Sequence, residues 1–490
     1  MTAPQTDPAD LPELPDPAAL LADAPRMRDA LDRAGWSPAA LDDLLGVTAR
    51  THLDRDELAP VLRRTRDGSP LSTLARLFVA GVSVPPGAAA AAGVPASWLR
   101  PEGDGVTSPV RLQPVSHGGV DVTAPHDPGR AATGVHPEQV LGVGAASLTL
   151  AAATPRRNVA RTLDLGTGCG VQALFAEDHS ATVVATDRNP RAVAFTQLAA
   201  TLGGVELDSR QGDLLAPVAG ETFDLVVSNP PFVVSPGARY TYRDAGLDGD
   251  EVCRRLVRDL PSVLAPGGVA VLLVNWLHVE DEDGDARVRS WLEGTGCDGW
   301  VVQRELAAPE DYVTAWLRDT DEGPHFDELY DEWVDWFHAR RVEAVAFGVL
   351  ALRRRTSGQA KVVLDEVDQL VAPTWGEEVL DHFARLDALD GDVLDRAWRL
   401  RDDVRLHQVA ERDDEGWMVE SQRLQQSRGL RWTGGTDEHG AALLAACDGT
   451  MPLRTLFQLL AVGAGIPEQE AVEQGLPVVQ RLVEQGFLVP

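Results

Sequence analysis

Lysine is almost missing from this chain: Lys361 is the only one among 490 residues, so arginine carries nearly all of the positive charge. Positive charge is itself scarce. The formal net charge is −31, and the summed field repels phosphate backbones at long range, which excludes non-specific nucleic-acid binding. Any nucleic-acid contact has to come from a local arginine patch. Cysteine is scarce as well, and Cys169, Cys253, Cys297 and Cys447 stand far apart with no C-x-x-C and no histidine at ligand spacing. That pattern excludes a structural zinc site and points to reduced thiols. No run approaches 18 apolar residues, and the acidic, Pro-rich start MTAPQTDPADLPELPDP lacks the basic-then-apolar order of a signal peptide. The expectation is a cytoplasmic protein with no membrane partner and no bound metal.

What is present is enough to fold. With 45 glycines and 33 prolines the chain stays well under the roughly 25–30% of low-complexity sequences, and 44% hydrophobic residues support globular packing. At about 100–200 residues per domain the length suits two to four domains.

After an irregular start, residues 1–85 read as a small helical domain. Ser37-Pro38 opens one helix, Leu41, Leu44 and Leu45 give its stripe, and Gly46 closes it; Ser69-Pro70 and Gly81 repeat the device. Residues 86–136 form a Pro/Gly-rich connector with short β-runs at 110–112 and 120–122. From 137 to 355 apolar runs alternate with helical stretches, the pattern of a parallel sheet covered on both faces. The strands expected are 162–165, 182–186, 205–210, 223–228, 269–275, 300–304 and 344–352. The fold class is therefore α/β, a Rossmann-like, seven-stranded doubly wound domain with a helical N-terminal domain and a mixed C-terminal region. In that last region 356–439 is irregular and charged, and 440–490 has a helix, helix, helix, strand order that would suit a winged-helix module.

Within the α/β segment one stretch, T-L-D-L-G-T-G-C-G-V-Q from Thr162, takes a strand into Gly166-Thr167-Gly168-Cys169-Gly170 and then a helix. Glycines let a ligand approach the turn without meeting a Cβ, and such turns lie at the carboxyl ends of parallel strands, where ligands bind. The spacing is G-x-G-x-G, not the dinucleotide G-x-G-x-x-G; on its own it would also serve NAD, or tight packing alone. Asp187, followed by Arg188, ends the second strand where a carboxylate can accept both hydroxyls of an adenosine ribose, a feature NAD enzymes share. Asp213 follows the third strand and is a candidate acceptor for an adenine amino group, with Leu214 beside the ring; an ordinary loop acid is the alternative.

The discriminating motif is Asn229-Pro230-Pro231-Phe232, directly after the apolar run 223–228. Two prolines fix the backbone and remove two N–H donors, leaving carbonyl acceptors, and Asn229 adds a side-chain acceptor. A planar amino nitrogen is a poor nucleophile while its lone pair is delocalised. Acceptors on its hydrogens favour the pyramidal form and stabilise the positive charge that develops during attack. Phe232 can stack on the planar group. A rigid strand-capping turn is the structural alternative.

On these residues the segment 137–355 resembles class I S-adenosylmethionine-dependent methyltransferases of the Asn-Pro-Pro-(Tyr/Phe) branch. That branch includes the small-domain enzymes acting on release-factor glutamine, rRNA guanine-N2 and adenine-N6. The resemblance implies that Asp164, Gly166, Thr167, Gly168, Cys169 and Gly170 surround the methionine part of the cofactor S-adenosyl-L-methionine. It likewise implies Asp187 and Arg188 at the ribose, Asp213 and Leu214 at the adenine, and Asn229 to Phe232 at the target nitrogen, with Asn229 also touching the cofactor. Arg239, Tyr240, Tyr242 and Arg243 interleave cations with rings and could grip phosphates and stack bases, or form an exposed loop. The leading expectation is an N-methyltransferase for an rRNA or tRNA base. The alternatives are a protein side-chain amide or a small molecule as acceptor. A non-catalytic cofactor-binding module has no need of Asn229-Pro230-Pro231-Phe232, and an NAD oxidoreductase lacks a hydride-transfer acid/base pair.

Overall fold

Each of the seven apolar runs becomes a strand of one sheet in the computed structural model, which describes residues 14–53, 55, 57–129, 136, 138–236, 249–319, 326–412 and 416–490. Two units make up the chain: Met1–Ala151 with Asn158–Arg354, and Ala152–Arg157 with Arg355–Pro490.

In the first unit a hairpin, β1 (Arg111–His117) and β2 (Val120–His126), precedes the sheet. Its two-residue turn is Gly118-Gly119, both at positive φ (59° and 85°), as the twist of a tight hairpin requires. The strands that this unit contributes to its eight-stranded sheet are β3 (Val159–Leu165), β4 (Ser180–Asp187), β5 (Asp208–Gln211), β6 (Phe223–Ser228), β7 (Leu264–Val279), β8 (Cys297–Ala307) and β9 (Val342–Arg354). Their spatial order is β8-β9-β7-β6-β3-β4-β5. The chain enters at β3, runs outward through β4 and β5, then returns to build the other half from β6. The crevice between β3 and β6 is thus the topological switch point, where ligands of open α/β sheets bind.

Two details differ from the sequence expectation. The sheet is mixed, because β9 runs antiparallel to both β7 and β8. β5 begins at Asp208 and not at Val205, because the Val205 amide donates to Ala200 O and belongs to the C-terminal cap of the preceding helix, with Gly204 left-handed at φ 69°.

The covering helices used below are α1 (Ala145–Ala153), α2 (Val171–Glu177), α3 (Pro190–Gly203), α4 (Glu251–Asp259), α5 (Gly284–Leu292), α6 (Pro309–Asp319) and α7 (Phe326–Ala339). Phe195, Leu198 and Leu202 of α3 share a core with Leu20, Met27 and Leu31 of the N-terminal helices and with Val110 and Leu112 of the hairpin region. The N-terminal helices are capped as their punctuation implies: Ser37 Oγ accepts from Ala40 N, and Ser69 Oγ from Ser72 N. Gly46, at φ 69° and ψ 167°, breaks the helical path, and a second helical stretch follows at once.

The second unit holds a three-stranded sheet of 448–452, 397–400 and 488–489, and a meander of 404–412, 417–426 and 433–436. Helices 438–446, 453–464 and 468–484 follow the helical order read from the sequence, with the strand Asp448–Pro452 inserted after the first of them. Among the described residues no helix is long and apolar enough to cross a membrane, and no cluster of three metal-ligating side chains occurs.

Candidate functional site

β3 ends in a turn that only glycine can make. Gly166, Gly168 and Gly170 take φ of 76°, 56° and 83°, conformations costly for residues with a Cβ. Their surroundings differ. A Cβ on Gly170 would lie 3.2 Å from both Cα and Oγ1 of Thr196 on α3, whereas a Cβ on Gly168 meets nothing within 4 Å. Gly170 is therefore small for packing, and Gly168 leaves its space open.

Asp164 locks the turn from beneath: one carboxylate oxygen accepts from Thr167 Oγ1 (2.7 Å) and from Ala173 N (3.0 Å). Burial pushes its carboxyl up to about 7, against the lowering effect of those two hydrogen bonds. Asp187 bridges the ends of β3 and β4. Its Oδ2 accepts from Gly168 N (3.0 Å) and its Oδ1 from Asn189 N (2.9 Å), and burial raises its pKa too. A carboxylate oxygen has a second lone pair, so both can still accept from a ligand's hydroxyls. Burial pushes the Cys169 thiol up to about 11, so it forms wall and not nucleophile.

These groups open on one cavity of about 730 Å³, within the roughly 300–1,000 Å³ of small-molecule sites. Leu165 to Cys169, Asp187, Arg188, Asp213, Leu214, Asn229, Pro230 and Pro231 line it. Asp164 and Gly170 lie behind that lining. Leu214 is held at φ 47°, unusual for a branched side chain, which is a strained backbone kept at a cavity wall. Ser228 Oγ donates to Leu165 O (2.8 Å), fixing the end of β6 against the glycine turn.

Phe232 sits one layer back. It is 7% exposed, edge-on to Trp316 at 6.4 Å between ring centroids and tilted against Phe347 at 5.6 Å. Among the described residues, the aromatic surface lining the cavity is that of Trp316. The chain after the motif is pinned by Tyr312, whose hydroxyl oxygen accepts from Val234 N (2.9 Å) and Asn275 Nδ2 (3.0 Å). Arg239, Tyr240, Tyr242 and Arg243 lie outside the described residues.

Sequence reasoning missed three parts of the lining: residues 139–142 and 144–147, Val252 with Arg255 and Leu256 on α4, and Ala315 with Trp316 on α6. Only the first carried a local signal, the G-V-G at 142–144. Arg255 is exposed and makes a loose ion pair with Asp259 at 3.9 Å.

Fold and site together define a Rossmann-like, class I S-adenosylmethionine-dependent methyltransferase domain. More narrowly, residues 130–280 match the methyltransferase small domain family. Residues 33–108 and 377–490 each match a domain of unknown function. The ribosomal protein uL3 glutamine methyltransferase of Bradyrhizobium diazoefficiens is 33% identical over 168 residues, 30% of this chain and 52% of that protein. A release factor glutamine methyltransferase of Deinococcus radiodurans is 34% identical over 169 residues, 32% of this chain and 57% of that protein. The ribosomal RNA small subunit methyltransferase C of Chromohalobacter salexigens is 34% identical over 115 residues, 24% of this chain and 31% of that protein. The chain thus spans about half the length of the glutamine methyltransferases it matches.

Proposed function

We propose that this protein methylates a planar amino nitrogen, and that its acceptor is the side-chain amide of a protein. The observation that carries the reading is the convergence of Asn229, Pro230 and Pro231 on the cavity that Gly168 and Asp187 also line. S-adenosylmethionine, when bound, supplies the methyl group as an electrophilic sulfonium. Gly168 gives it room, Asp187 offers acceptors to its ribose hydroxyls, and Asp213 and Leu214 would flank its adenine. Asn229 Oδ1 and the Pro230 carbonyl hold the hydrogens of the acceptor nitrogen and favour its pyramidal form, so their effect grows as positive charge develops. Trp316 offers an apolar face to the planar group. Phe232 supports Trp316 from behind.

The amide acceptor is supported by the charge of −31, which disfavours RNA, and by relatives named for glutamine methylation. An rRNA or tRNA base is the second reading, favoured by the relative named for ribosomal RNA and by Arg188 and Arg255 on the cavity wall. Comparing peptide and nucleoside mass spectra from a strain lacking the gene with those of its parent separates the two. Loss of a methylated glutamine or asparagine supports the amide. Loss of a methylated nucleoside moves the assignment to RNA, and no change in either removes both.

A further inference from the structure

One wall of the cavity, residues 139–144, has no regular secondary structure and so no ladder of its own to fix its backbone. Its hydrogen bonds go to the N-terminal hairpin. Gln113 on β1 behaves like a short piece of strand: its Nε2 donates to Val143 O (3.0 Å) and its Oε1 accepts from Val143 N (2.8 Å). Three residues earlier Asp127, just past β2, repeats the arrangement. Its amide donates to Val140 O (3.0 Å) and its Oδ2 accepts from Val140 N (2.8 Å). Gln139 Nε2 adds a bond to Pro128 O (2.8 Å).

Between these two clamps the wall passes so close that a side chain would displace its partners. A Cβ on Gly142 would fall 2.7 Å from Gln113 Oε1 and 2.9 Å from His126 Nε2. The Asp127 carboxylate is buried and ion-paired with Arg191 at the start of α3, with Arg191 Nε at 2.8 Å. From the same helix end, Asn189 Nδ2 donates to Glu138 O (2.8 Å), while the Asn189 amide bonds Asp187. The wall, the hairpin and the ribose-side carboxylate are thus one hydrogen-bonded frame.

We propose that Gln113 and Asp127, which precede the family-matched segment, are positioning residues for the cofactor: they set the wall 139–147 at the distance that binding requires. This rests on the assignment of the cavity to S-adenosylmethionine. Gln113 is the better probe, since replacing Asp127 would also strand Arg191.

The test uses the full chain, calorimetry with S-adenosylhomocysteine, thermal melting, and amide hydrogen exchange over 138–147. Gln113→Ala should weaken binding about tenfold, the scale of losing one or two net hydrogen bonds, and speed exchange at Val143. A control, Thr123→Val, removes the acceptor for Trp36 Nε1 (3.2 Å) in the same hairpin and should lower the melting temperature without changing affinity. If Gln113→Ala is poorly folded, Gly142→Ala drives the clamp apart from the other side and should give the same loss. Gln113→Glu keeps the acceptor for Val143 N but not the donor to Val143 O, and should fall between the parent and Gln113→Ala. Unchanged affinity in Gln113→Ala, or an equal loss in Thr123→Val, overturns the positioning role. Failure of the parent to bind S-adenosylhomocysteine overturns the cofactor assignment, and the positioning role with it, while the exchange data still report whether Gln113 holds the wall.

Discussion

Two groups in the first unit titrate in opposite senses, and each contributes to how its stability responds to pH. Asp164, raised to about 7 by burial, keeps its proton in the folded chain where the unfolded chain has lost it, so stability falls as pH rises from about 4 through 7. His126 is half-buried, and desolvation lowers it to about 4, so the unfolded chain takes up a proton below about 6.5 that the folded chain refuses. Its contribution is lost as pH falls through that window. Asp164→Asn should therefore leave the His126 effect less opposed, with the raised Asp187 still acting in the other sense: melting temperature should climb more steeply from pH 4.5 to 6.5 than in the parent. A parallel pair of curves would show that Asp164 is ionised when folded. The functional residues separate in the same way. Asn229→Ala should lower turnover by about 10²–10³ and leave S-adenosylhomocysteine affinity intact, because its acceptor acts as charge develops on nitrogen. Asp187→Ala should instead cost affinity, roughly 1.5–3 kcal/mol for charge-assisted hydrogen bonds, since it removes the ribose acceptor and also the bonds to Gly168 N and Asn189 N. Calorimetry on both variants, with initial rates for Asn229→Ala, checks the split.

At the level of elements, the glycine turn makes two positions that look equivalent in sequence behave differently. Gly170→Ala meets the Thr196 backbone as well as an unfavourable φ and should cost about 1–3 kcal/mol of stability. Gly168→Ala pays only for its φ, about 1–2 kcal/mol, but sets a methyl in the cavity and should weaken the cofactor more than Gly170→Ala does. Melting curves and binding isotherms on the two should rank them in opposite order. Such turns are legible in sequence because strand, glycines and helix are contiguous, and the run 223–228 becomes β6 with the same ends. Val205 was not legible as a cap residue, since an apolar β-branched side chain after Gly204 reads like the first residue of a strand. Trp316 and Arg255 were invisible for another reason: α6 and α4 reach the cavity by tertiary packing, and no local spacing links them to Asn229. The Gln113 clamp was hidden in the same way, since a side chain's pairing with a distant backbone leaves no local spacing to read.

For the whole molecule, charge is the dominant property, and it makes the choice of acceptor measurable. With a net charge of −31, RNA binding would rest on a few arginines, and affinity should fall with salt at a log–log slope of about −0.7 per phosphate contacted. An amide acceptor predicts no measurable RNA affinity even at low salt, and filter binding across a salt series distinguishes the two. The largest consequence for the fold comes from β9, which lies between β7 and β8 although it follows both in the chain. On a growing chain β7 is complete at residue 279 and β8 at 307, yet neither is the other's neighbour. Until residues 342–354 emerge, β7 has one long apolar edge without its partner, and β8 has no place beside the sheet. Synthesis therefore passes through a stage with an open edge on the central strands, and the arrival of β9 closes two ladders at once. A chain halted before residue 342 should aggregate, while one released after 354 should have both ladders of β9 paired.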